Sequence, residues 1–116
     1  MRRERAADLL QDILDFIGRI EAWTGQEPED GLNVDEKTLY AVLYALQYIG
    51  EAVSRLPNEV TELAPEIPWL KIRAMRNQIA HDYAGVDPAI VSTTVRERLP
   101  ELKVAVTSML ERLERG

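Results

Sequence analysis

The chain has no cysteine, so disulfides, thiolate metal sites and cysteine nucleophiles drop out together. It has one histidine, His81, and a single imidazole among scattered carboxylates is not a zinc ligand set, so no metal or cofactor is expected. No apolar run reaches the roughly 20 residues that span a bilayer, so no membrane partner is expected, and no segment alternates in the manner of a strand. There is no glycine-rich phosphate loop, and no serine or threonine spaced with a histidine base to suggest a triad. The opening Met1-Arg2-Arg3-Glu4-Arg5 is basic, but Asp8, Asp12 and Asp15 interrupt the apolar residues beyond it. That is unlike a signal peptide, and a cytoplasmic location is the expectation. Positive charge is scarce as well. A net charge of −6 and a pI near 4.8 argue against broad nucleic-acid coating while leaving room for a small basic cleft.

What is present is helical patterning in a chain of 116 residues, 46% of them hydrophobic, which suits one domain covering 1–116. Leu9, Leu10, Ile13, Phe16, Ile17, Ile20 and Trp23 recur at three- and four-residue intervals, predicting a helix over about 2–24 that Gly25 stops. Gln26 to Val34 reads as a polar connection. Asp35 caps a second helix whose stripe is Leu39, Val42, Leu43, Leu46, Ile49, Val53 and Leu56, ended by Pro57. Tyr40, Tyr44 and Tyr48 share one face of it, either as core or subunit-interface packing or as stacking platforms for bases. Residues 58–67 allow a short helical turn. Pro68 suits the first position of a third long helix, with Trp69, Ile72, Met75 and Ile79 inward, fading near Asp82 to Gly85. Asp87-Pro88 restarts the pattern with Ile90, Val91 and Val95 inward, and Pro100 is expected to kink or break it before a last helix. The predicted architecture is an all-α, up-and-down bundle of four to five helices.

The chemistry concentrates in one stretch, Pro65 to Pro88. Lys71, Arg73 and Arg76 precede His81 with no acid between Lys71 and His81, giving a local positive field in an acidic chain. On a regular helix Arg73, Asn77 and His81 share a face, while Arg76 lies about 140° from His81. Metal-free cleavage of RNA by its own 2′-hydroxyl is helped by a base, a cation on the phosphate and an acid for the leaving oxygen. One chain offers one imidazole, whereas a symmetric dimer offers two, with Arg76 across the cleft. Set against this, a lone histidine at a helix end is commonly just hydrogen-bonded to a carbonyl or to Asp82.

The motif Pro65-Glu66-Ile67-Pro68-Trp69, then Met75-Arg76-Asn77, Ala80-His81-Asp82-Tyr83 and Gly85-Val86-Asp87, resembles the signature of HEPN-domain proteins of the HepT type. Asp35-Glu36-Lys37-Thr38 and Ala45 to Ala52 resemble the second helix of that family, so the likeness covers most of the chain from Asp35 to Asp87. The pattern departs at Ala74, where relatives often carry glycine, and in a second helix that is tyrosine-rich rather than basic. The resemblance implies a HEPN-like dimerising bundle. It further implies the toxin of a type VII toxin–antitoxin pair, a metal-independent endoribonuclease with an R-x4-H site at a homodimer cleft. Arg76 and His81 would be catalytic, Asn77 and Arg73 supporting. Tyr83 would accept AMP from a minimal nucleotidyltransferase antitoxin, MntA-like, with its phenol reaching solvent; otherwise it packs under the Asp87-Pro88 helix start. The alternative is a non-catalytic helical dimer that binds a nucleotidyltransferase partner.

Overall fold

The structure, a computed structural model, describes residues 2–25 and 35–115, with side chains from Arg5 onward. The expected polar connection, Gln26 to Val34, lies outside them. Among the described residues every regular element is helical. Helix α1 spans Arg2–Thr24, α2 Glu36–Arg55, α3 the single turn Asn58–Thr61, and α4 Trp69–His81. A 3₁₀ turn at Tyr83–Gly85 leads to α5, Pro88–Thr93, and α6 covers Leu99–Arg115 after a π-helical segment, Thr94–Arg98. Helix α1 packs against α2 and α6, and α2 against α4, so α2 is the plank on which the motif helix is mounted.

The three-and-four spacing read from the sequence is what the core uses. Leu10, Ile13, Ile17 and Ile20 of α1 close on Leu43, Leu46, Ile49 and Val53 of α2, with Ile79 of α4 and Met109 of α6 completing the cluster. Burying each such side chain contributes about 1.5–3 kcal/mol, and this packing holds α2 and α4 in register. Capping follows the sequence too. An Asp35 carboxylate oxygen accepts from the Thr38 N–H at 3.3 Å, and one of Asp87 accepts from Ala89 N–H at 2.9 Å. The start of α4 is pinned by Trp69, whose buried indole N–H donates to the Thr61 carbonyl at 3.1 Å and the Ala64 carbonyl at 3.0 Å. These bonds tie the proline-flanked turn to the motif helix.

Several expectations change. Pro68 is the cap of α4 rather than its first residue, with φ −80° and ψ 73°. Pro100 sits in the first turn of α6, and the regular α pattern from Pro88 is interrupted just before it, by the π segment Thr94–Arg98. Ile90, expected inward, is 58% exposed, because the short α5 buries only Val91 and Ser92. Trp23 is exposed. The tyrosines of α2 are not core: Tyr40, Tyr44 and Tyr48 are 36%, 52% and 47% exposed. They form a surface row, Tyr44 against Tyr48 at 4.9 Å between centroids and Tyr48 stacked on Phe16 at 5.2 Å. Hydrogen bonding with Tyr48 raises the Tyr44 phenol above its ordinary pKa.

Candidate functional site

The site begins with a glycine in the middle of a helix, a position that costs about 1 kcal/mol against alanine unless something requires it. Here the requirement is contact. Gly50 of α2 is buried, and a Cβ built on it would overlap the Cβ of Arg76, so the absent side chain lets the Arg76 stem lie on the α2 backbone. We expect Gly50→Ala to destabilise the fold by about 1–3 kcal/mol through overpacking, despite its better helix propensity. Urea denaturation checks this, and a variant as stable as the parent would contradict the close approach.

From that floor the Arg76 guanidinium turns toward the neighbouring residue on α2. Its Nε donates to a Glu51 carboxylate oxygen at 3.1 Å, Nη2 donates to the same oxygen, and Nη1 donates to Asn77 Oδ1 at 2.7 Å. The Arg76 side chain keeps 31% of its surface exposed. Glu51 also lies 3.5 Å from the Arg55 guanidinium. Hydrogen bonds from Arg76, then its charge, hold the Glu51 carboxyl below the usual carboxylate range. Glu51 and Gly50 received no role from the sequence; the one available signal was the mid-helix glycine itself.

His81 is the last residue of α4, and its side chain is exposed. Among the described residues His81 makes no hydrogen bond to a carbonyl or to Asp82, whose side chain accepts from the Gly85 N–H at 3.1 Å, closing the turn after the helix. The helix stays regular through the bond from Asp82 N–H to the Gln78 carbonyl at 3.0 Å. Arg76 and His81 therefore leave the axis about 140° apart. Asn77 is exposed, whereas Arg73 is half-buried with its Nε shielded and without a hydrogen-bond partner among the described residues.

Tyr83 has a partner on α2 that the sequence did not suggest. It sits in the 3₁₀ turn, half-buried, its ring stacked on Tyr40 at 5.5 Å. Its hydroxyl donates to the Tyr40 carbonyl at 2.8 Å, in a bond that lies exposed at the surface. The residue packs on α2. Burial, then Tyr40, raises its pKa above that of an ordinary phenol.

A cavity of about 170 Å³ lies elsewhere, lined by Leu46, Ile49, Ile72, Met75 and Leu99 with Lys71 and Arg98 among the wall residues. Neither Arg76 nor His81 lines it, so the enclosed space and the candidate chemistry are separate. Among the described residues no group of histidine, aspartate and glutamate could hold a metal ion, and no helix is long and apolar enough to cross a membrane.

Comparison with known proteins agrees with the motif. The family model described as ribonuclease HepT-like matches residues 13–109. A protein of Thermococcus cleftensis described as a probable ribonuclease HepT is 42% identical over 96 residues, covering 83% of this chain and 87% of the relative. A Methanocaldococcus jannaschii protein named for an RNase activity is 34% identical over 106 residues, 90% of this chain and 87% of the relative. No solved structure matches.

Proposed function

The chain belongs to the ribonuclease HepT-like family, and from that premise we propose that it is a metal-independent endoribonuclease, the toxin of a type VII toxin–antitoxin pair. The observation that carries this reading is the state of the motif helix: Arg76 is held with its side chain partly exposed, and His81 is exposed, with no hydrogen-bond partner among the described residues. Because the two side chains leave α4 on different sides, the reading places the scissile phosphate between two copies of the chain, related by a two-fold axis past α4. The exposed Tyr40–Tyr44–Tyr48 row beside Glu51 and Arg76 supports that placement, as it offers the aromatic surface such an interface favours.

In the proposed reaction His81 takes the proton of a ribose 2′-hydroxyl as that oxygen attacks the adjacent phosphorus. Arg76 stabilises the charge that builds on the phosphorane oxygens. The bond to the 5′-oxygen then breaks, and that oxygen receives a proton from His81 of the second copy. The products are a 2′,3′-cyclic phosphate and a 5′-hydroxyl. Asn77 steadies Arg76, and Arg73 adds positive charge to the cleft. A minimal nucleotidyltransferase antitoxin, MntA-like, would silence the enzyme by attaching AMP to Tyr83.

Purified protein is expected to sediment as a dimer at micromolar concentration and to cleave single-stranded RNA in EDTA with those end groups. A dependence on added magnesium, or intact cleavage by a stable monomer, would sink the mechanism. A dimer that binds a nucleotidyltransferase but leaves RNA whole under every condition would favour the non-catalytic alternative.

A further inference from the structure

We propose that Glu51 is a positioning residue for Arg76, holding the guanidinium by one edge so that its other edge faces outward as a two-pronged receptor for a phosphate. The inference rests on the reading of Arg76 as the phosphate-binding cation and adds a residue of another helix to that site. A guanidinium has five N–H groups. Three are used here: Nε and Nη2 on one oxygen of Glu51, and Nη1 on Asn77 Oδ1. One N–H is left on each terminal nitrogen. Those two nitrogens are the outer end of the fork, the pair that can meet two oxygens of a phosphate.

The rest of the local structure serves the same orientation. Gly50 fixes where the Arg76 stem lies, and Glu51, the next residue, fixes which way its head is turned. The carboxylate meets the arginine along the side edge, so an incoming phosphate has no need to displace it. Its negative charge is shared with Arg55 at 3.5 Å, and the trio of Arg55, Glu51 and Arg76 keeps a net positive charge. A side chain present only to tie α2 to α4 would do that equally well with any rotation of the guanidinium. A side chain placed to repel anions would not be flanked by two cations.

The experiment separates orientation from charge. Removing an acid beside a phosphate site should tighten anion binding on electrostatic grounds alone, whereas removing a support that aims the arginine should weaken it. Affinity is measured for an oligonucleotide carrying a 2′-deoxy sugar at the cleaved position, which cannot react, and kcat and KM for its all-ribose counterpart. Glu51→Ala should bind the uncleavable strand about tenfold more weakly than the parent, near 1.4 kcal/mol, and lower kcat in proportion. Glu51→Gln, which discards the charge but keeps an acceptor for Nε and Nη2, should restore both to within about threefold. In an Arg76→Ala background, Glu51→Ala should cause no further loss.

Glu51→Ala binding as tightly as Glu51→Gln, or more tightly, would overturn the proposal. So would a fall in melting temperature with kcat and affinity unchanged in the folded protein. A second measurement needs no variant and no cleavage: in the nitrogen-15 spectrum of the parent, inorganic phosphate should shift the Arg76 Nη signals and leave Nε–H in place. That pattern from a protein unable to cut RNA would uphold the positioning role while the ribonuclease reading failed. Loss of the Nε–H bond on adding phosphate would refute the role whatever the activity.

Discussion

Replacing His81 with alanine is expected to slow RNA cleavage by about 10²–10⁴, the usual cost of losing a positioned acid or base, and to leave the fold standing. The second half of that expectation comes from the structure. The imidazole is exposed at the final position of α4, and the turn after it is closed by Asp82 and Gly85 without it. Exposed and outside the core, the imidazole is expected to give little to stability, a melting shift of a few degrees at most. Circular dichroism and cleavage of end-labelled RNA in EDTA read the two halves separately. Mixed dimers sharpen the result. If the reaction takes one His81 from each copy, a parent–variant heterodimer should fall far below half the parental rate, since every cleft then lacks one imidazole. Full activity in the His81→Ala protein would refute the assignment.

The sequence showed best what depends on local pattern. The spacing of Leu10, Ile13, Ile17 and Ile20, and of Leu43, Leu46, Ile49 and Val53, defined the buried faces of α1 and α2, and all eight side chains are in the core. Asp35 and the Asp87-Pro88 pair marked helix starts because a cap is a short-range device. Periodicity is silent on whether an apolar face is covered within its own chain, which is why Tyr40, Tyr44, Tyr48 and Ile90 stayed at the surface. Nor could it foresee the π segment that leads into Pro100. The motif residues were legible one by one, but their contacts were not: Glu51 with Arg76 and Tyr40 with Tyr83 join positions 25 and 43 residues apart, where only the tertiary fold decides.

Attachment of AMP to Tyr83 is expected to stop cleavage almost completely, and Tyr83→Phe is expected to keep cleaving while escaping that control. The local geometry makes both outcomes specific. In the unmodified protein the hydroxyl is a donor to the Tyr40 carbonyl, and the ring lies on the Tyr40 ring at 5.5 Å. Adenylylation joins the phenol oxygen to the α-phosphorus of ATP and expels pyrophosphate, so the donor is consumed and the bond to Tyr40 is lost. The new phosphodiester, negatively charged and carrying a purine, would then stand two residues from His81, where it repels the RNA backbone and offers Arg76 a competing anion. Since burial and Tyr40 keep the phenol more basic than usual, it is protonated at neutral pH, and the modifying enzyme has to supply a base for its proton. Tyr83→Phe preserves the ring stack and gives up one hydrogen bond, a cost of about 0.5–1.5 kcal/mol. Incubation with a minimal nucleotidyltransferase and ATP, then intact mass, peptide mapping and a cleavage assay, tests both outcomes. Adenylate on another residue would overturn the assignment, as would adenylate on Tyr83 with cleavage undiminished.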